Sequence, residues 1–161
     1  MTFSLPGLLL SLAILAPSFL LLAWPARSQP EVLPKSGWLL AWLERGGQAA
    51  CLVVPAITGG AVHPDVWLAA VIVFLGLYYA LWVRYFVAGR EFALLYRPLA
   101  FVPVPMAVFP VLAFLAGAGW LKSWWLAGAA VVLGIGHIAL SYRIARALPP
   151  REGSPTRNPA A

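Results

Sequence analysis

Three ionisable residues, Glu44, Arg45 and His137, fall inside stretches of this chain that are apolar enough to lie in a membrane. Burying charge at such depth is costly, so these are the first places to look for chemistry. Gln48, Cys51 and Ser141 are their polar companions. On a continuous helix Glu44, Gln48, Cys51 and Pro55 share one face, as do Ala130, Gly134, His137 and Ser141 further along. At 1.5 Å rise per residue, Glu44 lies about 9 Å inside a boundary set at Trp38, and His137 about 9 Å inside one set at Arg143. A carboxylate and an imidazole at equal depth on two helices can meet, and each then favours the charged form of the other. The expected site is Glu44 with His137, completed by Arg45, Gln48 or Ser141. It would face the cytoplasm and take a proton, a cation or a small ligand such as a polar headgroup. The competing arrangement has His137 bonding a neighbouring carbonyl while Glu44 and Arg45 extend to the interface.

Other chemistry is sparse. Arg84, Arg90 and Arg97, interleaved with Tyr85 and Tyr96, could grip a headgroup or phosphate, because guanidinium groups match phosphate oxygens in pairs. The same three arginines would serve equally as topology signals. One cysteine and two histidines exclude an internal disulfide and leave no closed zinc site, so no metal is expected. Gly134 and Gly136 beside His137 would let a porphyrin approach. The second histidine, His63, belongs to the opposite membrane face, so bis-histidine haem is not expected and no cofactor is assigned. No Ser/His/Asp arrangement, metal-hydrolase spacing or phosphate-cradling glycine loop occurs. No catalytic residue is assigned, and the reading leans away from an enzyme.

The elements that must position these residues are transmembrane helices. Of 161 residues, 62% are hydrophobic and 10% charged, against roughly 25% charged in soluble proteins. The fold class is all-α: a polytopic integral membrane protein of five transmembrane helices over about 3–24, 38–58, 66–86, 99–121 and 124–142. They form one domain, 1–148, followed by a disordered basic tail over 149–161. The run 3–24 lacks the basic start and short core of a signal peptide and is kept as a span. The second run is ambiguous. Glu44, Arg45, Gly46 and Gly47 allow an interfacial helix over 36–45 and a break, leaving four spans plus that helix. Pro103, Pro105 and Pro110 predict an extended or kinked first half for the fourth span.

Orientation comes from charge. Arg27, Lys35, Arg84, Arg90, Arg97, Arg143, Arg146, Arg151 and Arg157 fall on one side and Lys122 on the other. An excess of Lys and Arg marks the cytoplasmic side, which puts the N-terminus outside and the C-terminus inside. The formal charge of +6 then reads as topology and contact with anionic headgroups, and not as nucleic-acid binding. The expected setting is a bacterial plasma (inner) membrane, with the lipid bilayer as partner, and a further membrane protein or a second copy as possible company. The leading expectation is a non-enzymatic accessory or structural subunit using the small-residue face of the fifth helix. The alternative is a carrier or sensor at the Glu44–His137 site.

Overall fold

The structure is a computed structural model that describes residues 3–30, 33–34, 37–58 and 63–148. Within it the chain is all-helical: α1 (Leu5–Ala23), α2 (Trp38–Ile57), α3 (Val66–Val87), a short 3-10 turn (Phe92–Leu95), α4 (Pro105–Trp120) and α5 (Trp124–Ala147). Among the described residues there is no strand, only isolated bridges. The expected tail over 149–161 lies outside the described residues, as do Lys35 and part of the connector between α2 and α3. Three helices, α1, α3 and α5, are long and apolar enough to cross a membrane.

The helix starts follow from their caps. Ser4 accepts from Gly7 N, Asp65 Oδ1 from Trp67 N and Leu68 N, and Ser123 Oγ from Leu126 N, each relieving an unpaired N–H of a first turn. The second run is one continuous helix through Gly46–Gly47, so the broken alternative with an interfacial helix does not hold for the backbone. The fourth run departs from its expected limits. Residues 99–104 are not helical: Leu99 and Val102 exchange backbone hydrogen bonds across a tight turn at Ala100 (φ +50°), and the helix begins only at Pro105. A proline at the first helical position sacrifices no bond, and Pro103 disfavours helix before itself. The fifth helix runs five residues past its expected end at 142, to Ala147.

Three helices carry an internal proline (Pro17, Pro55 and Pro110), and for the first two the carbonyl left open is served by a neighbouring helix. Pro17 cannot donate to Ala13 O, and Tyr79 Oη of α3 donates to it instead at 2.8 Å. Pro55 cannot donate to Cys51 O, and Ser11 Oγ of α1 donates to that carbonyl at 2.9 Å. This is how proline is tolerated within an apolar bundle: neighbouring helices satisfy what the ring leaves open.

The packing has two centres. One gathers Leu10, Ile14, Cys51, Val71, Phe114 and Leu126, and the other Tyr78, Leu81, Trp82, Tyr85, Met106 and Phe109. The connectors sort to two ends. At one end Arg27 N donates to Arg90 O (2.8 Å) and Phe92 N to Arg27 O (3.0 Å), tying the α1–α2 connector to the α3–α4 connector. At the other end Thr58 Oγ1 lies 3.0 Å from Ser123 Oγ, and Trp120 Nε1 donates to His63 O.

Candidate functional site

Among the described residues the most extensive helix–helix contact is between α2 and α5, and it carries the candidate site. Gly47 faces Leu133 and Gly136 faces Glu44. A Cβ on Gly47 would stand 2.5 Å from Leu133 Cα, and one on Gly136 would stand 2.4 Å from Glu44 N. The backbones therefore touch, which only small residues allow. From the next residue after Gly136, His137 Nδ1 reaches Glu44 Oε1 at 2.6 Å. It is the one ion pair or potential ion pair among the described residues. With Glu44 ionised, the proton must sit on Nδ1, which donates to the carboxylate, and a neutral ring keeps its lone pair on Nε2. The two side chains are 27% and 26% exposed, so they are reachable without being free in solvent.

The pair opens into a pocket of about 290 Å3 lined by Glu44, Tyr96, His137, Ser141 and Arg143, with Leu33 and Pro34 of the α1–α2 connector at its edge. Burial holds the Tyr96 hydroxyl above the ordinary phenol range, and the nearby Glu44 carboxylate pushes it the same way. Tyr96 thus remains a hydrogen-bond donor at neutral pH. The pocket therefore combines an acceptor (Glu44), a fixed cation (Arg143), two hydroxyls and an imidazole.

Of the residues singled out from sequence, Glu44, His137 and Ser141 come together. Arg45 and Gln48 do not: both are exposed on the outside of the bundle. Gln48 was placed by counting four residues on from Glu44, but contact with α5 rotates the inward face of α2 onto Gly47, Cys51 and Pro55. Arg84 and Arg97 line a separate pocket of about 750 Å3 with Tyr96 and Glu91, and Arg90 is not part of its wall. Arg90 instead holds a left-handed backbone (φ +62°) and offers its carbonyl to Arg27. The small-residue face of α5 also differs from its expected use. Of that face Ala130, Gly134 and Ser141 are buried within the bundle, and His137 is part-exposed.

Sequence reasoning missed Tyr96, Arg143, Ser18, Tyr78 and Trp82 as neighbours of His137. The local signal for Tyr96 was present, since it lies between two arginines of a connector, but its direction depends on the turn at 92–95. No family model matches the sequence, and no characterised protein or solved structure is detectably similar to it.

Proposed function

We propose that the protein is a proton-responsive sensor or carrier of the plasma membrane, with the Glu44–His137 pair as its site. The 2.6 Å contact between Nδ1 and Oε1 carries this reading. Without the extra proton the pair holds a carboxylate and a neutral imidazole, a net charge of −1. Protonation converts it to an ion pair of zero net charge and strengthens the attraction between α2 and α5, because Coulomb forces grow as water is excluded. The other groups facing the pair are Arg143 of α5, Tyr96 after the 3-10 turn, Ser141 of α5, and Ser18 and Tyr78 from α1 and α3 across a second chamber of about 100 Å3 that His137 also lines. From α4 that chamber receives Met106 and Ala107, neither of them titratable. The alternative is an accessory subunit, which would meet its partner elsewhere than at Ala130, Gly134 and Ser141, since these pack inward.

The test is an NMR titration of His137 in the full chain, in lipid nanodiscs, beside Glu44→Gln. The expected result is one titration whose midpoint moves when Glu44 loses its charge. An unmoved midpoint overturns the reading.

The proposed setting is five crossings with the N-terminus outside and the C-terminus in the cytoplasm. The support is the sorting of connectors to two ends. Arg27, Arg84, Arg90 and Arg97 belong to the end tied through Arg27 and Arg90, and Lys122 to the end tied through Thr58 and Ser123. The helical part of α4, 16 residues, spans only about 24 Å at 1.5 Å per residue. Residues 99–104 complete its crossing. In intact cells, a thiol reagent that does not cross membranes is expected to label Lys122→Cys and spare Ser28→Cys. The reverse pattern inverts the topology.

A further inference from the structure

We propose that the pocket between the end of α3, the α3–α4 connector and the end of α5 is a phosphate site with Arg84 and Arg97 as its ligands, and that the phosphate belongs to the headgroup of an anionic phospholipid. The proposal does not depend on the Glu44–His137 reading.

Arg84 stands in the last turn of α3, and Arg97 follows the 3-10 turn of the connector. The fold brings both into one wall, where like charges repel. Nothing in the protein offsets that repulsion directly. Among the described residues no carboxylate lies within ion-pair distance of either guanidinium, and Glu91, which lines the same wall, does not reach them. Each guanidinium carries its N–H donors in a planar fork that matches a pair of phosphate oxygens. A topology signal needs arginines at this end of the bundle, but it does not need two of them in one wall. Two arginines against one glutamate leave the wall one positive charge in excess, which a phosphodiester would balance.

The volume, about 750 Å3, falls within the range of roughly 300–1,000 Å3 for small-ligand sites. Height along the bundle points to the source of the phosphate. Arg84 lies about 28 Å along α3 from its cap Asp65 at 1.5 Å per residue, and a hydrocarbon core is about 30 Å thick. The pocket therefore opens at the level of the headgroups, where basic pockets between helices take anionic lipid. It is an open cleft, as a site entered sideways by a lipid must be. Leu94 and Leu148 give its wall an apolar part for the glycerol and the first methylenes of an acyl chain. Glu91 adds an acceptor and Tyr96 a hydroxyl. A choline headgroup has no hydrogen-bond donor to offer Glu91, whereas a glycerol headgroup has hydroxyls. Phosphatidylglycerol thus fits the wall in charge and in hydrogen bonding.

Native mass spectrometry of the full chain in a neutral detergent tests this, with phosphatidylglycerol, phosphatidylcholine and glycerol phosphate added singly. One retained phosphatidylglycerol is expected, held more tightly than either of the others. Arg84→Gln and Arg97→Gln are each expected to weaken it about tenfold, the scale of one charge-assisted hydrogen bond. Arg146→Gln removes the same charge from the same end of α5 but outside the pocket, and is expected to leave binding nearly unchanged. Should the glutamine variants insert poorly, Arg84→Lys with Arg97→Lys keeps charge and topology and loses only the forks, so weaker binding is expected there too. Equal retention of the two lipids overturns the proposal, as do equal losses in Arg146→Gln and the pocket variants, or full retention in the lysine variant. Glycerol phosphate held as tightly as the lipid, and lost in the same variants, upholds the phosphate site and overturns the lipid as its source.

Discussion

Replacing Gly136 with alanine is expected to lower thermal stability more than any other single-methyl addition in α5, and to break the Glu44–His137 contact with it. The new Cβ would meet Glu44 N at 2.4 Å, Glu44 Cα at 2.8 Å and Leu40 O at 2.9 Å. These are backbone atoms of α2, and backbone has no rotamer into which it can retreat. The helices must separate, and overpacking of this kind costs about 1–3 kcal/mol, with more where nothing yields. Gly46→Ala is the matched control, because a Cβ there meets nothing within 4 Å. Alanine is the better helix former by about 0.5–1 kcal/mol, so the control is expected to be neutral or slightly stabilising. Thermal unfolding in detergent or nanodiscs, with the His137 resonance as site reporter, checks both. A Gly136→Ala variant as stable as Gly46→Ala would mean that α2 and α5 do not touch at this point.

The second large effect concerns a carbonyl. Ser11→Ala removes the hydroxyl that Cys51 O accepts in place of the N–H missing from Pro55. A buried acceptor left bare costs about 1–3 kcal/mol. The hydroxyl has one proton and a competing acceptor in Gly7 O at 3.1 Å, but a helical N–H already serves that carbonyl and none serves Cys51 O. Proline is the root of the need, which sets up a double-mutant cycle. In a Pro55→Ala background residue 55 can donate to Cys51 O, and Ser11→Ala is then expected to cost little. Equal losses of stability in the two backgrounds would show that Ser11 does not act through that carbonyl.

The chain announced its helices through long apolar runs bounded by Ser4, Asp65 and Ser123, which cap, and it announced the irregular stretch before α4 through its prolines. The meeting of Glu44 and His137 followed from depth alone, since rise per residue is a property of any helix. What depth does not contain is rotation about the helix axis and the choice of neighbour. Gln48 and Arg45 were grouped with the site by spacing along α2, but the approach of Leu133 to Gly47 turns them outward. The small face of α5 read as a surface for another protein because the sequence does not say that α2 and α4 already occupy it. Tyr96, Tyr78, Trp82 and Ser18 reach His137 from three other segments, and no local pattern encodes a wall assembled that way.

The clasp between the two connectors is built from main-chain atoms alone: Arg27 N with Arg90 O, and Phe92 N with Arg27 O. Its hydrogen bonds use no side chain, so Arg27 and Glu91 are constrained only in that residue 27 must keep its N–H. The left-handed backbone at Arg90, by contrast, disfavours branched residues, and Phe92 is buried. A diverging lineage is free to rewrite residues 27 and 91 while the joint persists, so shared architecture could outlast similarity there. Kinship for such a protein is better sought in the course of its backbone than in its letters.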